Sequence, residues 1–144
     1  MHGITDNLEF RVVAAAVAAG SAIDNNSAII DMAEYESVAF ITNIVDSVAT
    51  GVATLVVQSS DANSDGAMAA VEDTVATATC GTNDDLNGRA LMTEIRHPAK
   101  RYVQATRISA TANIAYGEVI AVLKPRHLPA AKGSTIADSA FVSG

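Results

Sequence analysis

Val52-Ala-Thr-Leu-Val-Val-Gln-Ser-Ser-Asp-Ala-Asn-Ser-Asp-Gly66 is the stretch on which the fold turns. Asp61, Asn63, Asp65, Gly66 and Glu72 match the calcium-loop pattern D-x-[DN]-x-[DN]-G-x5-E. In that reading Asp61, Asn63 and Asp65 supply oxygen ligands, Gly66 the turn and Glu72 a bidentate carboxylate. An EF-hand needs a helix ahead of the loop, and Val52 to Val57 is a β-branched segment instead. Asp, Asn, Ser and Gly are also the residues that a long hairpin loop selects for its turns. The expectation is therefore a strand running into a loop, with the calcium loop as the alternative.

Outward from this stretch, apolar residues recur with period two more often than with the helical period. Val38, Phe40, Thr42 and Ile44 alternate with Ala39, Ile41, Asn43 and Val45, so both faces of that segment are largely apolar. Such a strand is buried on both sides, or has one side in the core and the other in an assembly interface. Strands are expected at 10–18, 28–32, 37–46, 52–59, 68–72, 89–96, 101–109 and 116–124. Alanine pulls the first toward helix, whereas Val12, Val13 and Val17 pull it toward strand. Turn signals separate the segments, among them Asp24-Asn-Asn-Ser27, Thr50-Gly51, Asn87-Gly88 and His97-Pro98. About eight short strands without a βαβ rhythm imply an all-β, jelly-roll-like antiparallel β-sandwich.

The 144 residues suit one domain. Its expected limits are 10–125, flanked by an N-terminal arm (1–9) and a C-terminal arm (126–144). Pro125-Arg-His-Leu-Pro129 ends the last strand, because proline cannot donate to a ladder. The Ala/Ser/Gly-rich remainder, with isolated Ile136, Phe141 and Val142, is either a frayed tail or an arm lying on a neighbouring subunit.

Aromatic residues are 4% of the chain and Trp is absent, so the core must be built from small and β-branched side chains. Asp6, Glu9 and Arg11 precede the apolar Val12–Ala19 run, which is not the basic flank of a signal peptide. No run is long enough to span a membrane as a helix. Cys80 is alone and reads as a small buried or loop thiol.

Charge is uneven. Residues 1–88 carry a balance of −12 and residues 89–144 one of +5, giving the net −7. The bases of the second half are spread out with little aromatic interleaving, which argues against direct nucleic-acid binding. Either the halves form neighbouring strands whose charges meet, or the asymmetry orients the protein on a charged partner. His2, His97 and His127 are far apart, and neither a nucleophile elbow nor a phosphate loop occurs. The expectation is a protein without catalytic residues or cofactor.

The order of segments resembles the capsid cement (decoration) proteins of tailed bacteriophages. The resemblance rests on Ala28-Ile-Ile-Asp-Met32, Ser37-Val-Ala-Phe-Ile-Thr42 and Ala53-Thr-Leu-Val-Val-Gln-Ser-Ser-Asp61 running into its Gly/Asn/Ser/Asp loop. It continues through Pro98-Ala-Lys-Arg-Tyr-Val103 and Gly117-Glu-Val-Ile-Ala-Val-Leu123. It covers roughly residues 10–125. The Ala-rich segment 10–19 and the long tail after Lys124 depart from it. The resemblance implies a jelly roll on the capsid exterior of a virion, made in the host cytoplasm. It would bind the major capsid protein and self-associate as a dimer or trimer. The candidate contacts are Arg96, Lys100, Arg101, Arg126, Ile136, Phe141 and Val142, with the apolar faces of strand 38–45. A β-sandwich carbohydrate-binding module, calcium-assisted through Asp61, Asn63 and Asp65, is the alternative. Its sugar platform could use only Tyr35, Tyr102 and Tyr116.

Overall fold

Two antiparallel sheets face each other across a core of small and branched side chains in the computed structural model, which describes residues 3–142. A single helical turn, α1 (Ile4–Asn7), precedes β1 (Glu9–Ala14), β2 (Val17–Gly20), β3 (Asp24–Asn26) and β4 (Ile30–Asp31). Then follow β5 (Tyr35–Ser47), β6 (Val52–Ser60), a 3-10 turn at Asp65–Ala67, β7 (Ala69–Ala70) and β8 (Ala76–Thr79). The chain closes with β9 (Ala90–Arg96), β10 (Tyr102–Ala110) and β11 (Ile114–Pro125). Sheet one has the order β1-β11-β5-β9, with β2 also on β11. Sheet two has the order β3-β10-β6-β7, with β4 also on β10 and β8 on β6.

The short consecutive strands β1/β2, β3/β4 and β7/β8 each continue one line, which reduces the chain to eight strand positions. The first then pairs the last (β1 with β11), the second the seventh (β3 and β4 with β10), the third the sixth (β5 with β9) and the fourth the fifth (β6 with β7 and β8). This is one long hairpin rolled up so that β11 also meets β5 and β10 meets β6, the topology of a jelly roll. The loop opened by Asp61 is the tip of that hairpin.

Rolling a hairpin lays the acidic first half of the chain against the basic second half. Three ion pairs join the halves: Lys100–Asp61 at 2.9 Å, Arg101–Asp31 at 2.8 Å and Lys124–Glu36 at 2.9 Å. Three of the eight bases of the second half thus meet acids of the first within the fold.

Val38, Phe40, Thr42 and Ile44 of β5 point into the core, as do Ala53, Leu55 and Val57 of β6. Each large apolar side chain so buried contributes about 1.5–3 kcal/mol. Arg107 of β10 is also in the core and makes no ion pair among the described residues. It donates to the carbonyls of Gly117 and Ala15 and to Asn25 Oδ1, and its guanidinium sits 5.7 Å from the Tyr116 ring centroid. Burial pushes its pKa below the ordinary arginine value.

The Ala-rich segment is strand rather than helix, but broken in two. The register on β11 shifts near Val12–Ala14 and again between Ile114 and Tyr116. Two short strands depart from the sequence expectation. Asp24-Asn-Asn, expected as a turn, is β3, because Asn25 holds Arg107 and Asn26 accepts from Thr106 Oγ1. Ala76–Thr79 is β8, whereas the strand expected at 68–72 shrinks to Ala69–Ala70.

Candidate functional site

The outer face of sheet two is closed by the hairpin tip. Asp65 receives two hydrogen bonds from Asn26 Nδ2, at 2.9 and 3.1 Å, although Asn26 is on β3 and the loop leaves from β6. To make that contact the loop crosses β10. Beneath it Val56, Gln104 and Thr106 are buried, and Gln104 donates to Gln58 Oε1 at 2.8 Å. Of the calcium-pattern residues, Asp61 is paired with Lys100, Asp65 is engaged by Asn26, Asn63 is exposed on the same loop, and Glu72 is exposed beyond β7, in the connection to β8. Among the described residues no cluster of three or more His, Cys, Asp or Glu side chains could hold a metal ion.

One end of the sandwich gathers most of the basic candidates. Lys100, Arg101 and Arg126 line a 270 Å³ cleft with Met32, Ala33, Pro98 and Ala99. Arg101 makes a two-pronged contact with Asp31, through Nε and Nη2, both at 2.8 Å. That hydrogen bonding, helped by the Ala33 N–H, holds the Asp31 carboxyl down at about 2. Arg126 differs, because its Nε donates only to the Ala33 carbonyl, at 3.2 Å. Arg96 lies outside the cleft on β9, in the row Arg96–Ser37–Lys124. The Glu36 carboxyl in that corner is lowered chiefly by Lys124, with smaller contributions from His97 and Arg96.

The segment after Pro125 lies along β1 of its own chain. Ala130 N–H donates to the Asp6 carbonyl, and Val12 N–H donates to Thr135 Oγ1, each at 2.8 Å. Gly133 passes so close to the Phe10 carbonyl that no Cβ would fit there. The strap so formed roofs a 480 Å³ cleft over Leu8, Phe10 and Ile120, which Ile136 also lines. Phe141 rests beside Gly3 yet stays 59% exposed, and Val142 is exposed.

Sheet one presents an apolar outer face. Strand register aligns Val12, Ile120, Ile41 and Met92 in one row across β1, β11, β5 and β9, with Phe10, Val122 and Ala39 in the next. Met92, at the open end of the row, is 65% exposed. The doubly apolar pattern of 38–45 signalled this face. Met92 went unnoticed because a single apolar residue on a strand does not declare which face it takes. No family model matches the sequence, and no curated protein matches it. The surfaces are therefore read from their own chemistry.

Cys80 is buried, and its thiol donates to the Thr82 carbonyl. Tyr116 is in the core, where burial raises its pKa. Tyr35 is raised by burial and by its hydrogen bond to Glu9, and its hydroxyl also accepts from Arg11. Arg101 covers Tyr102, with its guanidinium carbon 5.2 Å from the ring centroid.

Proposed function

We propose that this protein is a non-catalytic structural component of a bacteriophage virion. It binds the major capsid protein on the outer surface of the head and cements neighbouring capsomers. The observation that carries the reading is the apolar row from Val12 to Met92 on the outside of a domain whose core is already filled. Met92 is exposed and Val12, Ile120 and Ile41 behind it are half-buried, an apolar strip suited to covering by another protein. The exposed Phe141 and Val142 on the strap and the Arg126 cleft extend the available contact. Support also comes from the order of sequence segments, which resembles that of phage cement proteins.

The energetics suit the role. A protein that binds only assembled capsomers stabilises the shell by mass action. Bridging several capsomers adds avidity, so each contact can be modest. The carbohydrate-binding reading has less behind it, since Tyr116 is in the core and Tyr35 and Tyr102 are occupied by arginines. Mass and stoichiometry of purified particles test the proposal. Several copies of this chain per capsomer are expected, and its absence from particles would overturn the reading.

A further inference from the structure

The edges of the two sheets are treated unequally. On sheet one, the C-terminal strap covers β1. On sheet two the edge strands β3, β4, β7 and β8 have four residues or fewer. Short or covered edges are how β-proteins avoid pairing with other chains. The other edge of sheet one, β9, has seven residues, an unbroken register on β5, and neither proline nor lysine.

Its backbone faces outward in a definite pattern. Ile44 N–H donates to the Arg89 carbonyl and His97 N–H to the Glu36 carbonyl, so odd-numbered residues bond β5. The N–H and C=O groups of Ala90, Met92, Glu94 and Arg96 therefore point away from the sheet, and no strand lies beside them among the described residues. The side chains of the same residues lie on the outer face, where Met92 ends the apolar row.

We propose that β9 pairs antiparallel with β9 of a second copy of this chain, on a two-fold axis at Met92. In that register Met92 faces Met92 of the second copy and Glu94 faces Ala90, so no like charges oppose each other. Two four-stranded sheets become one continuous sheet, and the two Val12-to-Met92 rows join end to end. A self-complementary patch of this kind closes as a dimer instead of growing into a filament. The pairing deepens the self-association within the proposed function. It rests on the edge alone, so it is tested in solution, apart from any head.

Sedimentation equilibrium of the full chain across a concentration series should give a monomer–dimer equilibrium. Met92→Lys places like charges on the axis and should abolish the dimer while the chain still unfolds cooperatively, at the melting temperature that wild type shows at concentrations where it is monomeric. Met92→Cys should cross-link under mild oxidation, because directly opposed hydrogen-bonded residues have Cα atoms about 5.5 Å apart, within disulfide reach. Ala90→Cys, which would oppose Glu94, should not cross-link, and the native Cys80 is buried. A monomer at every concentration overturns the proposal. So does a dimer that survives Met92→Lys, or equal cross-linking from both cysteine variants. Head binding assayed separately with the wild-type chain distinguishes failure of this pairing from failure of the virion reading: a monomer that still binds heads overturns the pairing alone, and a dimer that binds none overturns the virion reading alone.

Discussion

Arg107 and Tyr116 stack in the core, 5.7 Å from guanidinium to ring centroid, and each reaches from its own sheet to the other. Arg107 belongs to sheet two and donates to the Gly117 carbonyl on β11 of sheet one. Tyr116 belongs to sheet one, and its hydroxyl donates to the Ile108 carbonyl at 2.6 Å and accepts from Thr54 N–H at 3.0 Å on sheet two. The pair fixes how the sheets face each other in a core that is otherwise short of large side chains.

Replacing Arg107 should therefore be costly. Arg107→Met leaves the Gly117 and Ala15 carbonyls and Asn25 Oδ1 without their donor. A destabilisation of about 3 kcal/mol is expected from stranding buried acceptors, and about 1–2 kcal/mol for Tyr116→Phe. Urea unfolding measures both. An unchanged m-value would show that the folded and unfolded states keep their compactness. Stability equal to wild type in Arg107→Met would mean the fork is dispensable.

Six of the eight strand positions, those of β1/β2, β5, β6, β9, β10 and β11, were legible because alternation survives wherever one face is buried. The core side chains of β5, β6 and β11 fall where period two puts them. Arg107 was not legible, since an arginine in an alternating strand looks like a solvent-facing position. Nor was β3, whose Asp24-Asn-Asn has the composition of a turn and becomes strand only through tertiary hydrogen bonds. The contact candidates were legible in part. Lys100, Arg101 and Arg126 do meet in one cleft, but two of them already have carboxylate partners from the other half of the chain. Pairing of distant segments is what a single sequence hides.

The Asp31–Arg101 contact predicts a specific acid response. Asp31 titrates at about 2 when folded, below an ordinary Asp value of about 4. A carboxyl depressed by folding adds stability above its unfolded pKa and loses it as pH falls toward the folded value. The contribution is thus present at neutral pH and disappears between about pH 4 and pH 2. Both side chains are about half exposed, which keeps the gain small and makes it sensitive to salt. Arg101→Gln should return the Asp31 carboxyl toward its ordinary range in an NMR titration. A titration unmoved by the substitution would assign the depression to the Ala33 N–H instead.

Calcium should leave the melting temperature unchanged. Asp61 is already ion-paired with Lys100 and Asp65 is held by Asn26, so binding would have to break both contacts and lift the loop from Val56 and Gln104. Thermal melts with calcium and with chelator check this. A calcium-dependent rise that vanishes in Asp61→Asn and Glu72→Gln would establish the metal loop.

The strap offers the sharpest test of how the termini are held. At Gly133 an added Cβ would sit 1.9 Å from the Phe10 carbonyl oxygen and 3.0 Å from its carbonyl carbon. These are backbone atoms of β1, fixed by pairing with β11, and they cannot step aside as a flexible side chain could. Gly133→Ala should therefore lift the strap and strip Val12 N–H of its Thr135 acceptor. Limited proteolysis should cut within 126–142 faster than in wild type, and the Val12 amide should exchange faster. The sandwich itself should still unfold cooperatively, because the strap contributes no strand to either sheet. Thr135→Val, which removes the acceptor without the clash, should show the faster Val12 exchange with little change in cleavage. If Gly133→Ala were cleaved no faster than wild type, close approach to Phe10 would not be what holds the strap on β1.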